Sequence, residues 1–303
     1  MKKKTSWLSV SIFSKQKDWN FILTNAIRPI IGNFIQTNHI ITYAIEFNYS
    51  RGQNLRLSIM AYRWGLKKFM TALDAHFKSF LLDNKMLPEI HSLPVDGIFM
   101  PYPFNTLQYG LHKPEGLNKV GVKGSRLVNL MNEQYSFYQT LSEIIMEALG
   151  EEEINDELIV TFSYYLHLIL MNCICKRYSE DLEIFWSSYD LPENKSNQEM
   201  VREFFAPKFL QNFEVLKDIR NDVFRNGNLI LIESPGWIKK WEMACLHEID
   251  QQKNFEFPKA PNINIHLNIV ESINRTLGVK KNIKQLLYYF IFNTMYKNEN
   301  FPI

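Results

Sequence analysis

The first sixty residues constrain the fold most. Trp7-Leu8-Ser9-Val10-Ser11-Ile12-Phe13 reads as a strand, and a helix follows from about Asp18 to Gln36. A second strand, Ile40 to Tyr49, leads through a turn at Ser50-Arg51-Gly52 into a third, Asn54-Leu55-Arg56-Leu57-Ser58-Ile59. That third strand sets one arginine between apolar neighbours. By strand alternation Leu55 and Leu57 take one face and Arg56 the other. Burying a guanidinium is expensive unless an anion pairs with it.

The helical signal dominates later in the chain. Residues 6–110 read β-α-β-β-α-β, with the second helix over Trp64 to Asp83 and a further strand over Gly97 to Pro103. A loop rich in proline and glycine runs from Pro101 to Gly124. Beyond it, helical periodicity predicts helices at 125–149, 157–177, 180–189, 197–205, 213–225, 235–251, 263–277 and 281–297. Asn226-Gly227 reads as a turn or a helix stop. The expected class is α+β: an N-terminal mixed β-sheet with packed helices, then a mainly helical C-terminal layer. No long linker separates the β-rich region 6–110 from the helical region 125–300, so a single domain over 1–303 is expected.

Bulk properties exclude several classes. Of 303 residues, 46% are hydrophobic and 14% aromatic, ample for a sizeable core. The net charge of +2 gives no global field for DNA or an anionic membrane. Cys173, Cys175 and Cys245 are few and lack metal-ligand spacing, which suits a reducing compartment and a cytoplasmic location. No signal peptide is evident. Leu158 to Cys175 is nearly continuously apolar over about a membrane's thickness. It also carries Ser163, His167 and Asn172, which fits a buried central helix better than a span.

Several residues have the chemistry of a site. Arg56 could take a carboxylate through two parallel hydrogen bonds, or simply lie half-exposed on a wet sheet face. Lys15 and Lys17 flank the start of the first helix, where Asp18 can cap, and a helix N-terminus beside lysines attracts anions. Thr106-Leu107-Gln108-Tyr109-Gly110-Leu111-His112 lies in the glycine- and proline-rich loop, and His112 could move protons near neutral pH or be an ordinary surface histidine. His266, Asn274 and Arg275 share a late helix, where His266 could equally act as a cap. No glycine-rich phosphate loop, Gly-x-Ser-x-Gly, His-Glu-x-x-His or Cys-x-x-Cys is present.

In order, these pieces resemble the C-terminal elimination domain of lantibiotic dehydratases and the stand-alone thiopeptide-type bacteriocin biosynthesis proteins. The resemblance rests on the tryptophan-led strand Trp7 to Phe13, on Asn54-Leu55-Arg56-Leu57-Ser58, on Gln108-Tyr109-Gly110, and on Asn274-Arg275-Thr276-Leu277-Gly278. It covers nearly the whole chain with short motifs. It implies removal of glutamate from glutamylated Ser or Thr of a precursor peptide, leaving dehydroamino acids. A related activity joins two dehydroalanines in a formal [4+2] cycloaddition and releases the leader. A non-catalytic role, binding precursor for a larger dehydratase, is a third expectation.

The resemblance further implies a lyase that needs no metal or organic cofactor. Arg56 and Lys17 would be catalytic, clamping the glutamyl group, with His266 or His112 moving protons. Lys15, Gln108, Tyr109, Asn274 and Arg275 would bind substrate. Expected partners are a precursor peptide with its leader and a separate glutamyl-tRNA-dependent dehydratase. Direct nucleic-acid binding and a membrane span are not expected, and a homodimer is compatible. The chain also departs from the pattern. Val270 stands at the family's histidine, Gln108 at the arginine of its loop, and Glu46 at its other strand arginine.

Overall fold

A computed structural model describes residues 5–37, 39–89, 102–114, 125–150, 153–177, 195–225, 228–229, 236–253 and 263–296. The chain divides into two compact units. The first takes Met1–Asp156 together with Arg275–Gly278, and the second takes Glu157–Asn274 and Val279–Ile303.

The first unit holds strands β1 (Thr5–Phe13), β2 (Thr42–Asn48), β3 (Asn54–Tyr62) and β4 (Thr106–Gly110). Between β1 and β2 the chain is helical throughout: a 3-10 turn at Gln16–Asp18, α1 (Trp19–Ile22), a π-helical stretch at Leu23–Ile27, then α2 (Arg28–Gln36). A 3-10 turn at Arg63–Gly65 opens α3 (Leu66–Asp83). The sheet order is β2-β3-β1-β4. With helices after β1 and β3, this is the split βαβ arrangement.

The fold class is as expected, but the sheet is antiparallel throughout rather than mixed. Each helical crossover joins two parallel strands that are not neighbours. β3 lies between β1 and β2, and β1 lies between β3 and β4, so no parallel pair forms. Thr106–Gly110, expected in a loop, is the edge strand β4. Most of the strand predicted at 97–103, the helix at 180–189 and the Asn226-Gly227 turn lie outside the described residues.

One sheet face is apolar. Ile45, Leu57 and Val10 form one cross-strand row, and Phe47, Leu55 and Ile12 another, all essentially solvent-free. Trp19 seals this face with its ring 5.0 Å from that of Phe47. The fourth α-helix of the unit, α4 (Ser125–Ala148), packs on β2, where Ser142 Oγ accepts the Ile45 backbone N–H. Arg28 and Thr24 cap its C-terminal end by donating to the carbonyls of Met146 and Gly150.

The second unit contains α5 (Asp156–Arg177), α6 (Lys195–Val223), α7 (Gly236–Lys253), α8 (Ile263–Thr276) and α9 (Lys281–Tyr296), with a two-residue ribbon, β5 (Phe224–Arg225) and β6 (Asn228–Leu229). The two helices expected at 197–205 and 213–225 are one, α6, with Pro207 inside it. Buried Phe205 and Phe209 flank that proline and pack on Tyr289 of α9, holding the helix together across a position that lacks an N–H. Among the described residues one helix, within Asp156–Ile174 of α5, is long and apolar enough to cross a membrane, and 72% of that window is buried in the protein. Trp241 of α7 locks onto it by donating its indole N–H to the Leu166 carbonyl at 2.8 Å.

Candidate functional site

The other face of the sheet carries two rows without large apolar side chains, set between Trp7 and Met60 at one end and Phe13 at the other. Cross-strand pairing aligns Glu46, Arg56, Ser11 and Gln108 in one row. The next row is Ala44, Ser58, Ser9 and Gly110, all small. Bulky aliphatic side chains are absent from both rows, which form a floor of small and polar side chains, with Ser9, Ala44, Glu46 and Ser58 buried. A carbon added at Gly110 would stand 3.3 Å from Ser9 Oγ, so glycine keeps β4 close to β1 here.

The chain leaving β4 turns over this floor. The His112 backbone N–H donates to Ser9 Oγ at 3.3 Å. Its imidazole Nε2 reaches Glu46 Oε2, 3.4 Å away. Arg56 donates from Nε to Ser11 Oγ at 3.3 Å, and its Nη1 lies 3.6 Å from the same Glu46 oxygen. Glu46 is thus a buried carboxylate between a guanidinium and an imidazole. Its Oε2 makes no hydrogen bond with a described residue. A desolvated carboxylate oxygen in that position is a strong acceptor for an incoming N–H or O–H.

The structure gathers Arg56, His112 and Gln108 of the expected residues on this face. Tyr109 points to the opposite side, donating to Asp74 Oδ1 of α3 at 3.1 Å. Burial and then the Asp74 charge push its phenol up, while Lys78 holds the Asp74 carboxyl below the usual range. Lys15 is committed to Glu89 at 2.7 Å, and Lys17 is exposed in the first 3-10 turn. Val270 is buried, and the His266 side chain lies outside the described residues.

Asn274 is fully buried in the second unit. Its Oδ1 lies 3.2 Å from His167 Nε2, and its Nδ2 donates to the Tyr288 hydroxyl at 2.7 Å. Desolvation lowers the His167 pKa to about 4, so its ring is neutral and Nε2 carries the proton toward Asn274. Arg275 is exposed in the last turn of α8. The Asn-Arg-Thr-Leu-Gly motif encodes a helix stop. Gly278 has φ +64°, its N–H bonds the Arg275 carbonyl at 3.1 Å, and Val279 N–H bonds the Asn274 carbonyl at 2.7 Å. This is a Schellman cap. Sequence reasoning had noted Glu46 only as a departure, and missed it as the partner of Arg56. The signal was present, since equal steps outward from the Ser50-Arg51-Gly52 turn bring residues 46 and 56 opposite each other.

The fold matches solved structures of low sequence identity, among them a pyridine synthase and a lantibiotic dehydratase, as the sequence resemblance implied. The pyridine synthase TbtD from thiomuracin biosynthesis matches with TM-score 0.61 at 13% identity, over 95% of this chain and 97% of TbtD. TsrL matches with TM-score 0.57 at 10% identity, over 96% of this chain and 95% of its own. The tRNA-dependent lantibiotic dehydratase MibB from Microbispora sp. 107891 matches with TM-score 0.58 at 10% identity, over 97% of this chain but only 28% of MibB. No protein-family model and no curated protein matches the sequence.

Proposed function

We propose that this chain modifies a ribosomally made precursor peptide, and that within this class it joins two dehydroalanines in a formal [4+2] closure. The observation that carries the finer reading is the buried Glu46 oxygen between His112 and Arg56. To become a reactive azadiene, a dehydroalanine amide must lose its N–H proton and gain one on its carbonyl oxygen. Glu46 Oε2 accepts the amide proton, His112 donates to the oxygen, and Arg56 stabilises charge building there; after closure that oxygen leaves as water and the leader leaves as a carboxamide by C–N cleavage, so the ring becomes a pyridine with no oxidant. Gln108, on the same row, holds the peptide backbone. The near end-to-end match with a pyridine synthase supports the same reading.

Glutamate elimination asks for the opposite electrostatics. The departing group is anionic and needs surplus positive charge. Here Glu46 already balances Arg56, so an incoming carboxylate meets a like charge. The match to MibB over 97% of this chain and the strand position of Arg56 keep elimination as the second reading.

The test uses two synthetic precursors, one with two dehydroalanines and one with a glutamylated serine, read by mass. Leader release with a new pyridine absorbance from the first supports ring closure. Loss of glutamate from the second supports elimination. Tight binding with no mass change in either would leave a carrier role. Glu46→Gln should abolish ring closure while the protein stays folded.

A further inference from the structure

A second feature lies at the far end of β3. A cavity of about 280 Å³ opens between the end of α2 and the start of α3. Phe34 and Phe69 form its floor, edge to face at 5.0 Å, with His39 edge-on to Phe69 at 5.7 Å. Tyr62 and Trp64 stand beside it with parallel rings, centroids 6.4 Å apart. Trp64 is 80% exposed, an unusual position for the largest apolar side chain. The rim is cationic. Lys68 lines the opening, and Arg63 and Lys67 are exposed beside it. No residue between Glu46 and Asp74 in the sequence is acidic, and none that lines the cavity is.

We propose that this cavity docks an acidic stretch of the substrate peptide through one aromatic or long aliphatic side chain. The inference rests on the reading that the chain acts on a peptide. Size fits the occupant, because an engineered cavity of about 150 Å³ already holds benzene, so a phenyl group and part of its backbone enter here. The exposed Trp64 face covers the inserted side chain, and the lysines and arginine meet flanking carboxylates. Nucleic acid fits less well. The floor is concave and hydrocarbon-lined, offering a base edge few hydrogen bonds. Tyr62 is six residues along β3 from Arg56, about 20 Å at the rise of a strand.

The probe is a fluorescein-labelled peptide with one phenylalanine flanked by glutamates, followed by anisotropy. Two controls replace the phenylalanine by alanine or the glutamates by lysines. The phenylalanine–glutamate peptide should bind at least tenfold tighter than either control. Trp64→Ala and Lys68→Glu should each weaken it tenfold or more. Both side chains are exposed, so unchanged melting curves will separate lost docking from lost fold. Glu46→Gln should bind the probe like the wild type, which keeps this test apart from that of the chemistry. Equal binding of all three peptides, no binding of any, or preferential capture of a labelled oligouridylate would each overturn the proposal.

Discussion

Glu46 and Arg56 face each other across the β2–β3 pair, the carboxylate Oε2 3.6 Å from the guanidinium Nη1, with only 4% of the Glu46 side chain exposed. Removing the cation alone strands a buried charge. Arg56→Met should therefore cost about 2–4 kcal/mol in urea unfolding, tempered because 18% of the Arg56 side chain reaches solvent. The double variant with Glu46→Gln should recover more than half of that loss. Additive losses would mean that the two side chains are not coupled.

Gly278 should be intolerant of any side chain. It adopts φ +64°, and an added carbon would lie 2.6 Å from the Phe47 carbonyl oxygen. Gly278→Ala should cost at least about 2 kcal/mol. Gly32 of α2 is the matched control, with nothing within 4 Å of the added carbon. There, alanine should be neutral or stabilise by about 0.5–1 kcal/mol.

Acid sensitivity should trace in part to His167. Burial holds it at about 4 against an ordinary 6.5, so the unfolded chain binds the proton first as pH falls. Its contribution is whole above pH 6.5 and is lost progressively toward pH 4, on the order of 3 kcal/mol in total. Measured over that window, the stability of His167→Gln should fall less steeply than that of the wild type. Parallel curves would count against a buried neutral imidazole.

Two thiols should be silent in the native protein. Cys173 and Cys245 are fully buried, and desolvation first, then the hydrogen bond with Cys173, pushes the Cys245 thiol well above its ordinary value. In a Cys175→Ser background, neither should react with Ellman's reagent at mildly alkaline pH until guanidinium unfolds the chain. Fast native labelling would show that α5 and α7 open locally.

The sequence made β1, β3 and the long helices legible because their periodicity is strong and their turns are marked by Ser50-Arg51-Gly52 and Gly278. β4 was hidden because it is five residues long, half-exposed at a sheet edge, and set among proline and glycine that read as loop. Arg56 was visible as an anomaly on its own strand. Its partnership with Glu46 depends on register, and the approach of His112 depends on how the chain leaves β4. Local pattern encodes neither. Asn274 and Arg275 were conspicuous as a motif, yet their spacing is what a Schellman cap requires, and the Asn274 side chain is spent on His167 and Tyr288.

The return of Arg275–Gly278 to the first unit has a consequence for biogenesis. Gly278 seats against the end of β2, in contact with Phe47 and Tyr49. The sheet that carries Glu46 and Arg56 therefore lacks one of its own pieces until the ribosome has passed position 278. Maturation of that half must wait until position 278 has been made, although all four of its strands are translated first.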